Sequence, residues 1–98
     1  MNRIDAISRL RQSADAMRGM GATALYLYGS TARDEAKAAS DLDLFIDCEP
    51  GTRFSLLDLV ALKQFLEEEL AMEVDITTRN SLNPRLRGDI ERSAIRVF

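Results

Sequence analysis

Apolar residues recur at spacings of three and four through Ile4, Ile7, Leu10, Ala14 and Met17. That spacing predicts one face of an amphipathic helix over about 3–18, ended by Gly19 and Gly21. The run from Thr23 to Tyr28 is short, apolar and rich in strand formers, so it reads as a buried strand. Gly29 stops it, and Ser30 or Thr31 caps a short helix to about Ala38, with Asp34 and Glu35 in its first turns. Asp41 to Asp47 is the second strand, and Pro50-Gly51 marks a loop. Ser55 caps a long helix over about 56–71, whose apolar stripe is Leu59, Leu62, Leu66 and Leu70 with Phe65. Glu73 to Thr78 is a third strand, rich in β-branched residues. Asn83 caps a last helix with Pro84 in its first position. Ile95 to Phe98 reads as an edge strand.

Helices and strands therefore alternate, which predicts an α/β fold: a small mixed β-sheet flanked by helices. A long helix joins strands two and three, so those two should run parallel. Strand one ends at Gly29 and strand two begins at Asp41. If both points meet in one site, strands one and two run antiparallel. No repeat, low-complexity tract or linker interrupts the 98 residues, which are expected to form a single domain.

Composition narrows the chemistry. Apolar residues make up 46% of the chain and charged residues 30%, as in ordinary soluble proteins. No apolar run approaches the roughly 20 residues of a membrane span, and the basic opening lacks an apolar signal core. Cys48 is the only cysteine, so no internal disulfide forms and a cytoplasmic setting fits best. Cys48 itself reads as a small residue near a strand end. There is no histidine, which removes Ser-His triads, imidazole acid–base catalysis and most zinc sites. Carboxylates, hydroxyls, Arg, Lys and a hard cation remain.

Charge is unevenly spread. Residues 1–40 hold six basic and four acidic side chains, residues 41–75 two basic and ten acidic, and residues 76–98 five basic and two acidic. The acidic middle suits cation binding, and the basic ends could meet phosphates or an acidic partner.

Within that middle, Asp41 and Asp43 stand at i and i+2 of a strand, so both side chains point to one face while Leu42 and Leu44 point to the core. Two carboxylates this close repel unless a proton or a cation relieves them; oxygen donors of this hardness suit Mg²⁺ or Mn²⁺. Asp75 interrupts the apolar strand Val74–Ile76, where an unpartnered acid is costly. If strand three neighbours strand two, Asp75 lies beside the pair; otherwise it faces solvent. Glu73 and Thr77 share its face. Gly29-Ser30 leads into a helix N-terminus, where free N–H groups favour anions and glycine allows close approach. Arg33, one turn on, could reach a phosphate or pair with a nearby aspartate.

Together these parts resemble the DNA polymerase β-type nucleotidyltransferase superfamily: apolar-Gly-Ser, ten residues, Asp-apolar-Asp-apolar, then apolar-Asp-apolar. Tyr28-Gly29-Ser30-Thr31-Ala32-Arg33, followed by Ser40-Asp41-Leu42-Asp43-Leu44, is similar to its minimal nucleotidyltransferase family. Val74-Asp75-Ile76-Thr77, Leu82-Asn83-Pro84 and the closing Ile95-Arg96-Val97-Phe98 resemble that family's last segment. Thr31 stands where many relatives have arginine, and Asp34 where glycine is usual. Leu70-Ala71-Met72-Glu73 lacks the family's common Gly and basic residues.

The resemblance implies the polymerase β-type fold and transfer of a nucleoside monophosphate to a hydroxyl with two Mg²⁺ ions. Asp41 and Asp43 would bind both ions, and Asp75 would complete the second site. Gly29 and Ser30, with Arg33 nearby, would hold the phosphates of ATP. It further implies an antitoxin that attaches AMP to a HEPN-type ribonuclease toxin. Two other expectations stand beside it. One is a binding module that neutralises its partner by contact, through apolar residues of the first helix and the basic C-terminus. The other is an enzyme that extends tRNA 3′ ends, against which the overall acidity argues mildly.

Overall fold

A computed structural model describes residues 2–33, 41–51 and 53–98. Four strands form one sheet in the order β3-β2-β1-β4: β1 over Ala22–Tyr28, β2 over Leu42–Cys48, β3 over Val74–Thr78 and β4 over Ile95–Arg96. β1 runs antiparallel to β2 and to β4, and β2 runs parallel to β3. The sheet is mixed, as the positions of Gly29 and Asp41 require.

The apolar face of the sheet packs on three helices: α1 (Arg3–Gln12), α2 (Ala14–Gly19) and α4 (Leu56–Leu70). Leu25, Leu27, Leu42, Leu44, Ile46, Val74 and Ile76 of the strands share one core with Ala6, Leu10, Met17, Leu62, Leu66 and Leu70 of the helices. Leu59 and Phe65 pack at its margin, so the expected α4 stripe holds. Ser55 caps α4 through a reciprocal pair. Its hydroxyl oxygen accepts the Asp58 N–H, and the Asp58 carboxylate accepts the Ser55 N–H at 2.8 Å. α4 ends one residue earlier than expected, at Leu70, where Ala71 takes the left-handed conformation with φ +53°.

Four expectations are corrected. The N-terminal helix is two helices, broken at Ser13, whose backbone is non-helical (φ −98°, ψ 6°); its N–H donates to the Leu10 carbonyl at 3.0 Å, three residues back, which tightens the last turn of α1. Ala6 replaces Ile4 on the buried face, and Ile4 is 75% exposed. The helix after β1 begins at Gly29 itself, with Tyr28 at the cap position and no side-chain cap, so neither Ser30 nor Thr31 caps it. Thr31 is instead buried. The expected continuation of this helix to Ala38 lies outside the described residues. Asn83-Pro84 starts a turn and not a helix: the Asn83 carboxamide oxygen accepts the Arg85 N–H, and the Asn83 carbonyl accepts Leu86 and Arg87 N–H. α5 then runs over Arg87–Ser93. Among the described residues no helix is long and apolar enough to cross a membrane.

Candidate active site

Strand register assembles the site. Tyr28, the last residue of β1, pairs with Asp43 of β2, and Asp43 pairs with Asp75 of β3. Because Leu42, Leu44 and Ile46 alternate into the helical core, these three partners form one row across the opposite face. Neighbouring strands lie about 4.8 Å apart. Asp41 immediately precedes β2 and is exposed, not within the strand as expected, yet its charge still acts on Asp43.

Gly29 closes the row from the β1 side. Its φ is +75°, and a Cβ built there would run into the Asp43 carboxylate, with Cγ at 3.1 Å. Glycine is therefore required twice, by the backbone conformation and by the close approach of an acid. Ser30 follows at the start of α3 (Gly29–Ala32), half-buried. The Arg33 N–H donates to the Gly29 carbonyl at 3.2 Å, which folds the Gly29–Arg33 turn back beside β2.

Electrostatics single out Asp43. Burial raises its carboxyl above the usual value, and the neighbouring Asp75 and Asp41 charges add to the shift while Arg33 opposes it. Tyr28 moves the same way: burial first, then Asp43 and Asp75, hold its phenol above the ordinary 10.0. The row thus concentrates negative charge at a half-buried carboxylate, the condition a hard divalent cation relieves. Among the described residues no three His, Cys, Asp or Glu side chains converge on one point as they stand. The in-register pairing sets the Asp43 and Asp75 backbones side by side, and their carboxylates are hard oxygen donors. The donor set fits a Mg²⁺-type ion.

Sequence reasoning missed what lies along the same face. Phe45 is wholly buried there, stacked on Tyr26 with ring centroids 4.7 Å apart and tilted against Tyr28 at 5.8 Å. The Arg79 guanidinium lies over Tyr26 and Phe45, at 4.8 and 5.0 Å from their centroids. It donates to both carboxylate oxygens of Asp47, at 2.7 and 2.9 Å, and to Glu91 of α5. These hydrogen bonds raise the already high pKa of Arg79. Asp47 and Phe45 share Asp43's face by simple alternation, a signal present in the sequence; the pairing with Arg79 and Glu91 is not. Cys48 ends β2 with its thiol pushed up by burial and by Asp47 and Asp58. It behaves as the small strand-end residue expected, not as a reactive thiolate.

The fold and the glycine-backed acid row define a class. Residues 7–97 match the Nucleotidyltransferase domain family, and the chain belongs to it: this is a nucleotidyltransferase with that family's mixed-sheet fold. Among its relatives, a Methanocaldococcus jannaschii protein named "Putative protein adenylyltransferase" is 46% identical over 72 residues, covering 74% of this chain and 75% of that one. The solved "Structure of putative minimal nucleotidyltransferase" superposes with a TM-score of 0.82 at 38% identity, over 97% of this chain and 95% of the other. The "Crystal structure of the toxin-antitoxin with AMP-PNP" shares the fold at a TM-score of 0.71 and 19% identity, over 100% of this chain and 73% of that one.

Proposed function

We propose that this chain transfers AMP from ATP to a hydroxyl of a partner protein, with Mg²⁺ held by Asp41, Asp43 and Asp75. The partner in this reading is a HEPN-type ribonuclease toxin in the same cytoplasm, silenced by the modification, and the chain is its antitoxin. The observation that carries the reading is the row Asp43–Asp75 with Gly29 packed on the Asp43 carboxylate. The relative named as an adenylyltransferase and the toxin–antitoxin neighbour bound to an ATP analogue support the choice of nucleotide and of partner.

Two ions, when bound, would neutralise the triphosphate and acidify the attacking hydroxyl. The chain's own groups supply the rest. Gly29 lets the backbone turn out of β1 against the Asp43 carboxylate, and the Ser30 hydroxyl and backbone N–H groups of that turn donate to phosphate oxygens. Arg33 adds positive charge at the same end. The acceptor oxygen bonds to the α-phosphorus as the bond from that phosphorus to the leaving oxygen breaks. Pyrophosphate departs, and Asp75, the more exposed acid, takes the hydroxyl proton and passes it to water.

Labelled ATP offered with Mg²⁺, the toxin and bulk tRNA tests this. Label should enter the toxin and be lost, by at least 100-fold, in the chain carrying both Asp41→Asn and Asp43→Asn. Full labelling by that double variant would sink the proposal, and label in tRNA would favour nucleotide addition to RNA. Contact-only neutralisation has one observation in its favour, the large apolar side chains left on the surface: Ile4 on α1, with Leu56 and Leu57 on α4, the latter 80% exposed. Toxin neutralisation that survives in the double variant would select that reading.

A further inference from the structure

The charge of Arg79 is neutralised where it stands. All three guanidinium nitrogens donate: two to Asp47, at 2.7 and 2.9 Å, and one to Glu91, which also accepts from Arg87 at 3.2 Å. The ion pairs of Arg18 with Asp15 and of Arg92 with Asp89 join exposed side chains three residues apart. Arg79 instead reaches across 32 residues to Asp47 and is only 25% exposed. Asp47 lies four residues along β2 from Asp43, about 13 Å at the rise of an extended strand. A neutralised group at that distance acts on the acids by packing, not by charge.

The packing path is continuous. Asp47 of β2 and Glu91 of α5 hold the guanidinium over the rings of Tyr26 and Phe45. Tyr26 stacks on Phe45 within 10° of parallel, and Tyr28 leans on the same ring at 47°. Phe45 is wholly buried, and in a close-packed layer it cannot shift without moving these neighbours. Tyr28 is in turn the register partner of Asp43 on the same face. A displacement at Arg79 therefore reaches the acid through two rings, Phe45 and Tyr28.

We propose that Arg79 is a positioning residue for nucleotidyl transfer: clamped by Asp47 and Glu91, it fixes Phe45 and so holds Tyr28 against Asp43 in the geometry that binds the cation. The inference rests on the metal-binding reading of Asp43 above, and not on the identity of the acceptor. Groups that orient a metal-binding residue from outside typically contribute about 10–100-fold in affinity or rate.

Three variants of the full chain test this, each at a temperature where far-ultraviolet circular dichroism shows it folded. Arg79→Met keeps the length of the side chain and removes the clamp. Arg79→Lys keeps the charge but loses the planar fork that grips Asp47 and covers both rings. Leu70→Val thins the core on the other face of the sheet and serves as a destabilised control. The tyrosine band in near-ultraviolet circular dichroism reads Tyr26 and Tyr28, the chain's two tyrosines, with no tryptophan to obscure them. Arg79→Met should lose most of that band, bind Mn²⁺ about tenfold or more weakly, and label the toxin about tenfold or more slowly with Mg²⁺ and ATP. Arg79→Lys should recover part of each, and Leu70→Val should keep all three. An unchanged band, an unchanged Mn²⁺ affinity, or parent-like values in Arg79→Lys overturns the proposal; the last holds even if Arg79→Met does not fold. So does an equal loss in Leu70→Val, because any weakening of the fold would then suffice. If the band and the Mn²⁺ affinity fall as expected but the parent chain labels no toxin, Arg79 keeps its role and the protein-acceptor reading falls. A parent chain that binds no Mn²⁺ overturns both.

Discussion

Asp43 and Gly29 are the two residues on which the site turns. Gly29 holds φ +75° with the Asp43 carboxylate where a side chain would go. Gly29→Ala should cost about 1–2 kcal/mol from the left-handed backbone alone, lower Tm by about 4–8 °C per kcal/mol in a domain of this size, and abolish transfer by displacing Asp43. Thermal melts and ATP labelling of one preparation check both effects. Asp43 titrates above the ordinary value of 3.8 because of burial and then of Asp75 and Asp41. A raised carboxyl binds its proton more tightly in the native state than in the unfolded one. The native state is therefore weakened at neutral pH, and it gains stability as pH falls through the raised value toward the unfolded one. Asp43→Asn should melt higher than the parent at pH 7 in EDTA, with the difference shrinking as pH falls through that window. A lower Tm for the variant at pH 7 would refute the argument.

At the scale of elements, α4 is the clearest product of local sequence. Ser55 and Asp58 form a capping box, and Leu62, Leu66 and Leu70 follow at every fourth position into the core. Its other end is imperfect. Ala71 occupies a left-handed position, φ +53°, where glycine is the favoured residue. Ala71→Gly should stabilise the chain by about 1 kcal/mol, seen as a higher midpoint in urea with an unchanged slope. The N-terminal helices and the Asn83–Leu86 turn were less legible. Ile4 and Ile7 fit a helical stripe, but which stripe is buried depends on how closely the helix approaches the sheet, and the small Ala6 takes that place. Asn83-Pro84 is equally good chemistry for a turn and for a helix start; the Asn83 carboxamide and carbonyl close the turn first.

Over the whole molecule, three separate segments converge. Asp41 precedes β2 and Asp43 lies in it, Asp75 comes from the sheet edge, and Gly29-Ser30 follows the end of β1. A cation bound by all three acids binds only the folded chain, so it should stabilise the whole domain. At 100 times its dissociation constant the gain is about 2.7 kcal/mol. Mg²⁺ should raise Tm of the parent chain, EDTA should reverse the rise, and the Asp41→Asn, Asp43→Asn double variant should not respond. An equal rise in the double variant would place the ion elsewhere.

The sequence by itself determined which residues face together on each strand, because alternation along a strand is a local property: Asp43 with Asp47, Asp75 with Thr77. It determined the loss of imidazole chemistry, the glycine turn that ends β1, and the parallel pairing of β2 with β3, since a long helix joins them; the packing of that glycine on the Asp43 carboxylate is tertiary. Only the tertiary structure decided the register. It put Asp43 level with both Asp75 and Tyr28, and it made Arg79 the bridge between Asp47 of the sheet and Glu91 of α5. Register follows from how the buried faces of neighbouring strands interlock with the helices beneath them. That fit is a property of the packed core, and no segment carries it alone.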